Sequence, residues 1–383
     1  MTALAALTGR PDGPGLLPPH RTVEAARRWA AWLRDATAGR VDVDGAVLLT
    51  ERAALTGRGR NGSTSVGGAC RLLEATDGWV AVSCARPDDA DLVGALIGEA
   101  VQGCSVWQAL AGWCASRKAG EVVERATVLG LPAAAAGEWR TTVPDLPPLA
   151  APVDLTGRLV VDFSALWAGP LCAHLLGLAG ANVVKVETPG RPDGARSGHR
   201  GFYDLLHAGH RAVAVDPASA HDMKALSRLV QRADIVIEAS RPRALARWGL
   251  DAVHAVDNGA VWASITAYGR DFDRVGFGDD VAVAAGLIAI DPDNGMPVFY
   301  GDAVADPLTG LYAACRAVEA VASGSGALLD IPMVAVASLT AGPSEPARVV
   351  GSPPPLVARK PPATPAAPLG QDTAAVFAEI GHA

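Results

Sequence analysis

The stretch LVVDFSALWAGPLCAHLLGLAGANVVKVE, residues 159–187, decides the fold. An apolar run at 159–163 meets a corner of small residues at Ala168, Gly169 and Pro170, a segment rich in Ala and Leu runs on to Gly180, and a second apolar run fills 183–186. Short apolar runs bounded by turn residues read as buried strands, and the longer segment between them as a helix. Pro170 has the fixed φ that suits a first helical turn, and the turn glycine lets a ligand approach the backbone. The helix start therefore offers unpaired N–H groups to an anion such as phosphate. Glu187 falls where the ribose-binding acid of a dinucleotide site would lie, but the turn reads A-G-P-L-C-A and lacks the G-x-G-x-x-G fingerprint.

Outward from this unit, 383 residues exceed what one core usually holds, so two domains are expected. Half of the chain is hydrophobic, and the net charge of -7 argues against nucleic acid or an anionic membrane surface as the main partner. The cysteines Cys70, Cys84, Cys104, Cys114, Cys172 and Cys315 form no C-x-x-C pair and read as reduced core residues, which points to the cytoplasm. The start MTALAALTGR lacks the pattern of a signal peptide, and the apolar windows are too short to span a bilayer.

Along the chain, residues 1–20 read as a flexible arm rich in Gly and Pro, and 21–138 as a small α+β domain. The latter opens with a helix spaced by Val23, Ala26, Trp29, Trp32 and Leu33. The loop RGRNGSTSVGG (58–68), a strand pair at 70–73 and 79–83 turned by Thr76, Asp77 and Gly78, and helices at 90–99, 105–116 and 120–129 follow. A Pro-rich linker covers 139–154. From 155 to 342 short strands (159–163, 183–186, 212–215, 234–238, 261–265) alternate with helices, the pattern of a doubly wound, mainly parallel, Rossmann-like α/β sheet. Apolar helices are expected at 281–290 and 307–322 and a buried run at 327–337. A Pro-rich connector covers 343–368, and a C-terminal helix in 369–383 packs on the large domain.

Of the eight histidines, only His207 and His210 are close, and without a carboxylate at ligand spacing they read as surface or loop residues; no metal site is expected. No G-x-S-x-G elbow is present. The acid pairs Asp279/Asp280 and Asp302/Asp306 remain. Asp306 opens an apolar helix beside Pro307, with Gly310 one turn on. The position is that of an N-cap, and a carboxylate held by backbone N–H groups stays ionised at neutral pH and can attack an activated acyl group.

The order of these pieces resembles the family III CoA-transferases. The matching landmarks are the 159–187 stretch, HAGHRAVAVD (207–216), ADIVIEASRPRALARWGL (233–250), VWASITAYG (261–269) and GDAVADPLTGLYAA (301–314). The ending PLGQDTAAVFAEIG (368–381) is similar to the family's C-terminal helix. The resemblance implies that Asp306 is the nucleophile that forms an aspartyl-CoA thioester, with acyl-CoA and a free carboxylic acid as substrates and no permanently bound cofactor. It implies coenzyme A contacts at Trp167 and Ala168, at Asp216 to Ser219, at Ala239, Ser240, Arg241 and Arg247, and at Thr266, Ala267 and Tyr268, with Arg247 on a phosphate. It also implies an interlocked homodimer. The segment RNGSTSVGGACRLLEATDGWVAVS (60–83) is similar to the family's small domain but precedes the large one, a circular shift of order. ASGSGALLD (322–330) stands where the family has R-x-x-T-G-x-G-Q, and Ala239-Ser240 where it has Asn-Phe. Racemases of the same fold carry G-H-D where this chain has Gly278, Asp279 and Asp280. Transfer is therefore favoured, because a carboxylate lacks the near-neutral pKa of histidine. Racemisation, and a CoA-binding subunit without catalysis, are the alternatives.

Overall fold

The computed structural model describes residues 3–86, 88–99, 101, 106–240, 242–349 and 351–381. Helix α1 (Thr22–Ala36) buries Ala26, Trp29 and Leu33, as its apolar spacing dictates. Those side chains share a buried cluster with Leu4, Leu171, Leu175, Leu311 and Tyr312. The N-terminal segment and α1 thus pack into the core of the large sheet's helices, and Leu16–Leu17 pairs antiparallel with Ala347–Arg348. After α2 (Glu51–Thr56), which Gly57 ends in a left-handed cap, comes a small antiparallel sheet of Cys70–Ala75, Gly78–Ser83 and Ala133–Ala135. Asp89–Ile97, Val106–Cys114 and Ala119–Leu129 cover it and supply a separate core around Val80, Val93, Leu110 and Val122.

The large sheet contains β1 (Leu159–Asp162), β2 (Asn182–Glu187), β3 (Arg211–Ala214), β4 (Ile235–Glu238), β5 (Val261–Thr266) and β6 (Ala327–Pro332), all parallel, in the order β6-β5-β4-β1-β2-β3. The chain leaves β1 in one direction for β2 and β3 and returns on the other side for β4, which opens a crevice beyond the carboxyl ends of β1 and β4. Val160, Val161, Val236 and Ile237 are fully buried, the signature of strands covered on both faces. Helix α3 (Ala168–Leu178) follows β1 and packs against α5 (Ala305–Ser323), the helix that crosses the middle of the core.

Three expectations change. The segment 1–20, expected as a flexible arm, is packed over its described residues, with Leu4, Leu7 and Leu16 buried, because its leucines find apolar partners elsewhere in the chain. The apolar stretch expected as one helix over 281–290 is a short helix, α4 (Gly278–Ala284), followed by Ile288–Ile290, which pairs with Pro297–Phe299 in a hairpin. Gly286, at φ +83, ends the helix, and the β-branched residues beyond it enter the strand. The run at 327–337 divides at Pro332, which lacks an N–H for further pairing and stands before the helix Met333–Ser338. Its first half is the sixth strand of the sheet.

Candidate active site

Asp306 is the second residue of α5, behind an N-cap position filled by Val304, and that N-cap makes no side-chain hydrogen bond. The expected N-cap role is thus corrected: the helix starts at Ala305, two residues earlier than a cap at Asp306 would have it. It lies against Gly278, the first residue of α4, where a Cβ would stand 2.2 Å from Asp306 Oδ2. Only glycine lets the carboxyl group come so close. On the other side, a Cβ at Gly310 would meet the Ala168 carbonyl oxygen at 2.5 Å, so the glycine one turn after Asp306 is what lets α3 and α5 cross at this point. Asp306 itself stays half-buried, with an accessible edge.

Around it lie Asp279, Asp302 and Arg52. The Arg52 guanidinium, on α2, grips Asp302 with two hydrogen bonds, one of 2.9 Å from Nε, and stacks 4.6 Å above the Trp167 ring. Asp279 Oδ1 accepts the Ala303 N–H at 3.0 Å. Ala303 has φ +44 and Leu166 φ +70, and the two flank the site; backbone strain of this kind persists only where the surroundings enforce it. Burial pushes Asp306 up to about 7, against the lowering effect of Arg52, with Asp279 and the other acids adding to the rise. Burial likewise raises Asp279 to about 6 and Asp280 to about 7. Asp306 differs from the expectation in what surrounds it: its N-cap position is Val304 rather than itself, and burial raises its pKa where cap hydrogen bonds would have lowered it.

The sequence reading of the ligand-contact residues divides into groups. Ala168 and Ala239 border the crevice at the strand-order reversal, where a Cβ at Gly169 would meet Ser164 Cβ at 2.1 Å and Ala239 Cβ at 3.6 Å. Trp167 is buried beneath Arg52, and Ser240 is half-buried beside Ala239. Arg247 is exposed, and Arg241 lies outside the described residues. Asp216 and Ser219 stand beyond the edge strand β3, and both serve the local turn: Asp216 Oδ1 accepts the Ala218 N–H, and Ser219 Oγ caps the next helix at Asp222 N. Thr266 Oγ1 accepts the Gly269 N–H at 2.8 Å, Ala267 is buried, and Tyr268 is buried under the Arg274 guanidinium, 3.9 Å from its ring.

Glu187, in the ribose-acid position, is consumed by Arg196 and by the Asp193 N–H, so nothing of a dinucleotide site remains. His207 and His210, expected at the surface or in a loop, are 2% and 8% exposed: the helix Arg200–His207 turns the His207 ring inward beside Tyr203, and the His210 ring, three residues on, packs against it. Burial holds both imidazoles neutral. Among the described residues no group of His, Cys, Asp or Glu is placed to hold a metal ion, and no helix is long and apolar enough to cross a membrane. The five described cysteines are free thiols, four of them buried. Arg52 is the site residue that the sequence did not reveal; in the short helix ERAALT it reads as an ordinary charged residue beside Glu51.

Residues 155–365 match the family described as CoA-transferase family III. Succinyl-CoA–D-citramalate CoA-transferase of Chloroflexus aurantiacus is 31% identical over 190 residues, 45% of this chain and 47% of that protein. Succinate–glutarate CoA-transferase of Agrobacterium fabrum is 29% identical over 208 residues, 48% of this chain and 52% of that one. A solved structure of a CAIB/BAIF family protein from Brucella suis aligns with a TM-score of 0.45 at 26% identity, covering 48% of this chain and 54% of the other. The chain spans about half the length of the curated relatives it matches.

Proposed function

Because the chain belongs to CoA-transferase family III, we propose that it moves coenzyme A from an acyl-CoA thioester to a free carboxylic acid, with Asp306 as the nucleophile. The observation that carries the reading is the position of Asp306: a half-buried carboxyl group at the head of α5, pressed against the bare backbone of Gly278 and within the field of Arg52. The carboxylate attacks the thioester carbonyl, the C–S bond breaks, and a mixed anhydride and CoA thiolate result. The thiolate attacks the aspartyl carbonyl of the anhydride, releasing the donor acid and leaving an aspartyl-CoA thioester. The acceptor carboxylate attacks that thioester in turn, and the thiolate returns to the acceptor's acyl carbon, regenerating Asp306. Each step exchanges one activated acyl bond for another of similar energy. The crevice at Ala168, Ser240 and Ala239 takes the nucleotide end of coenzyme A, with Arg247 at its phosphates, and the active form is a homodimer.

The test is to mix protein with a panel of acyl-CoA esters, quench, and search by mass spectrometry for a hydroxylamine-sensitive adduct on the peptide holding Asp306. An adduct of coenzyme A mass is expected. Binding of coenzyme A without any such adduct overturns the nucleophile in favour of a binding subunit. A second reading, proton exchange at the carbon α to a thioester, is favoured by one observation: Asp279, raised to about 6, stands beside Asp306 at about 7, so the chemical objection to a carboxylate in the histidine position loses its force. Deuterium uptake into a 2-methylacyl-CoA without CoA exchange would select it.

A further inference from the structure

The turn between β1 and α3 carries Leu166 at φ +70, a conformation in which leucine is strained, with its side chain 42% exposed. Glycine would adopt it freely, so something else holds the chain there. Three backbone groups of the turn, the Ser164 N–H and carbonyl and the Leu166 N–H, are captured by buried side chains. Asp162 Oδ1 accepts the Ser164 N–H at 2.8 Å and also the Ser164 hydroxyl. Lys185 Nζ donates to the Ser164 carbonyl at 2.8 Å, and Asp193 Oδ1 accepts the Leu166 N–H at 3.0 Å. Lys185 and Asp193 are themselves paired at 3.0 Å with side chains 2% and 1% exposed, on β2 and on the segment that follows it. Asp193 is fixed in turn by its own N–H to Glu187 Oε1, and Arg196 closes on the same glutamate.

A buried ammonium group is costly to desolvate unless it is paired, and Lys185 has its two close partners, Asp193 Oδ2 and the Ser164 carbonyl, in the strained turn. We infer that Lys185 and Asp193 are positioning residues, which clamp the Ser164–Leu166 backbone in its left-handed shape and thereby hold Trp167 under Arg52 and Ala168 at the crevice. Their service to a coenzyme A ester rests on the proposed function; the clamp itself does not.

The experiment separates the two. Lys185→Met and Asp193→Ala are each combined with Leu166→Gly, and every variant is measured for its urea midpoint and, by calorimetric titration, for the Kd of free coenzyme A. Glycine adopts the turn conformation without a clamp. Leu166→Gly should therefore recover stability in either clamp variant by more than it changes the wild type. Loss of the clamp should raise the coenzyme A Kd about tenfold, with partial recovery in the double variant, since displacement of a site wall by about 1 Å has effects of this size or larger. Strictly additive urea midpoints overturn the clamp. A wild type that binds no coenzyme A, with non-additive midpoints, keeps the clamp and removes the function proposed for the crevice. If Lys185→Met does not fold, Asp193→Ala decides, because alanine removes both the acceptor for the Leu166 N–H and the partner of Lys185.

Discussion

At the residue scale, Asp306 and Arg52 form a coupled unit in which burial and charge work against each other. Asp306→Asn keeps the shape and removes the nucleophile. We expect CoA transfer to fall by roughly three orders of magnitude or more, while the coenzyme A Kd stays within a few-fold; initial rates and titration calorimetry measure the two. Arg52 is a cation that lowers the pKa of Asp306 and Asp279. Arg52→Met withdraws that effect, so Asp306 rises further above about 7 and a smaller fraction is ionised at neutral pH. The acidic limb of kcat/KM should move to higher pH, with a larger loss of rate at about pH 6 than at about pH 9. A limb that stays in place would separate Arg52 from the reacting carboxylate.

At the scale of elements, two glycines carry different predictions for activity. Gly310→Ala drives a methyl group into the Ala168 carbonyl at 2.5 Å and the Leu171 Cβ at 2.9 Å, contacts with backbone and a packed branch point that yield little. The helix propensity gained, about 1 kcal/mol, is outweighed by overpacking of about 1–3 kcal/mol, so the urea midpoint should fall. Gly278→Ala drives its methyl group into Asp306 Oδ2 at 2.2 Å and the Ala303 carbonyl oxygen at 2.8 Å. The carboxyl group is displaced and the backbone at Ala303 has to give, so kcat should drop together with the urea midpoint, as a rate assay beside the same urea titration would register. The strands and α3 were legible because each is an apolar run of the right length between turn residues. The hairpin at Ile288–Ile290 was not, since a short apolar run continuing from a helix carries no period of its own. Arg52 was illegible for a different reason: its partner Asp302 is 250 residues away, and no local pattern records such a meeting. The landmark order located Asp306, but burial, which sets its protonation, depends on side chains from α2, α4 and α5 together.

For the whole molecule, the decisive contact joins the small sheet to α4 and the segment before it, and through them to the large sheet's layer of helices. Ser83 Oγ, at the end of Gly78–Ser83, donates to Asp280 Oδ1 at 2.6 Å, the Phe277 N–H donates to the same oxygen at 3.1 Å, and Arg274 reaches the Ala133 carbonyl at 2.6 Å. Asp280 is fully buried and its Oδ2 has no partner, so ionisation there is opposed by desolvation, and its pKa rises to about 7. Folded Asp280 therefore binds its proton more tightly than the unfolded chain does. Between about pH 4 and pH 7 the native state holds a proton that the unfolded state has lost, and stability falls as pH rises through this window, then levels off above it. The contribution is fully present below pH 4 and gone above about pH 7; a rise of this size is worth on the order of 4 kcal/mol. Asp280→Asn keeps the acceptor for Ser83 and Phe277 and carries no charge at any pH. Its urea midpoint should match the wild type near about pH 4, exceed it near about pH 8, and show a shallower slope between, the remaining slope coming from Asp279 and Asp306. Equal slopes for the two proteins would mean that Asp280 is ionised in the folded chain and that this contact tolerates a buried charge.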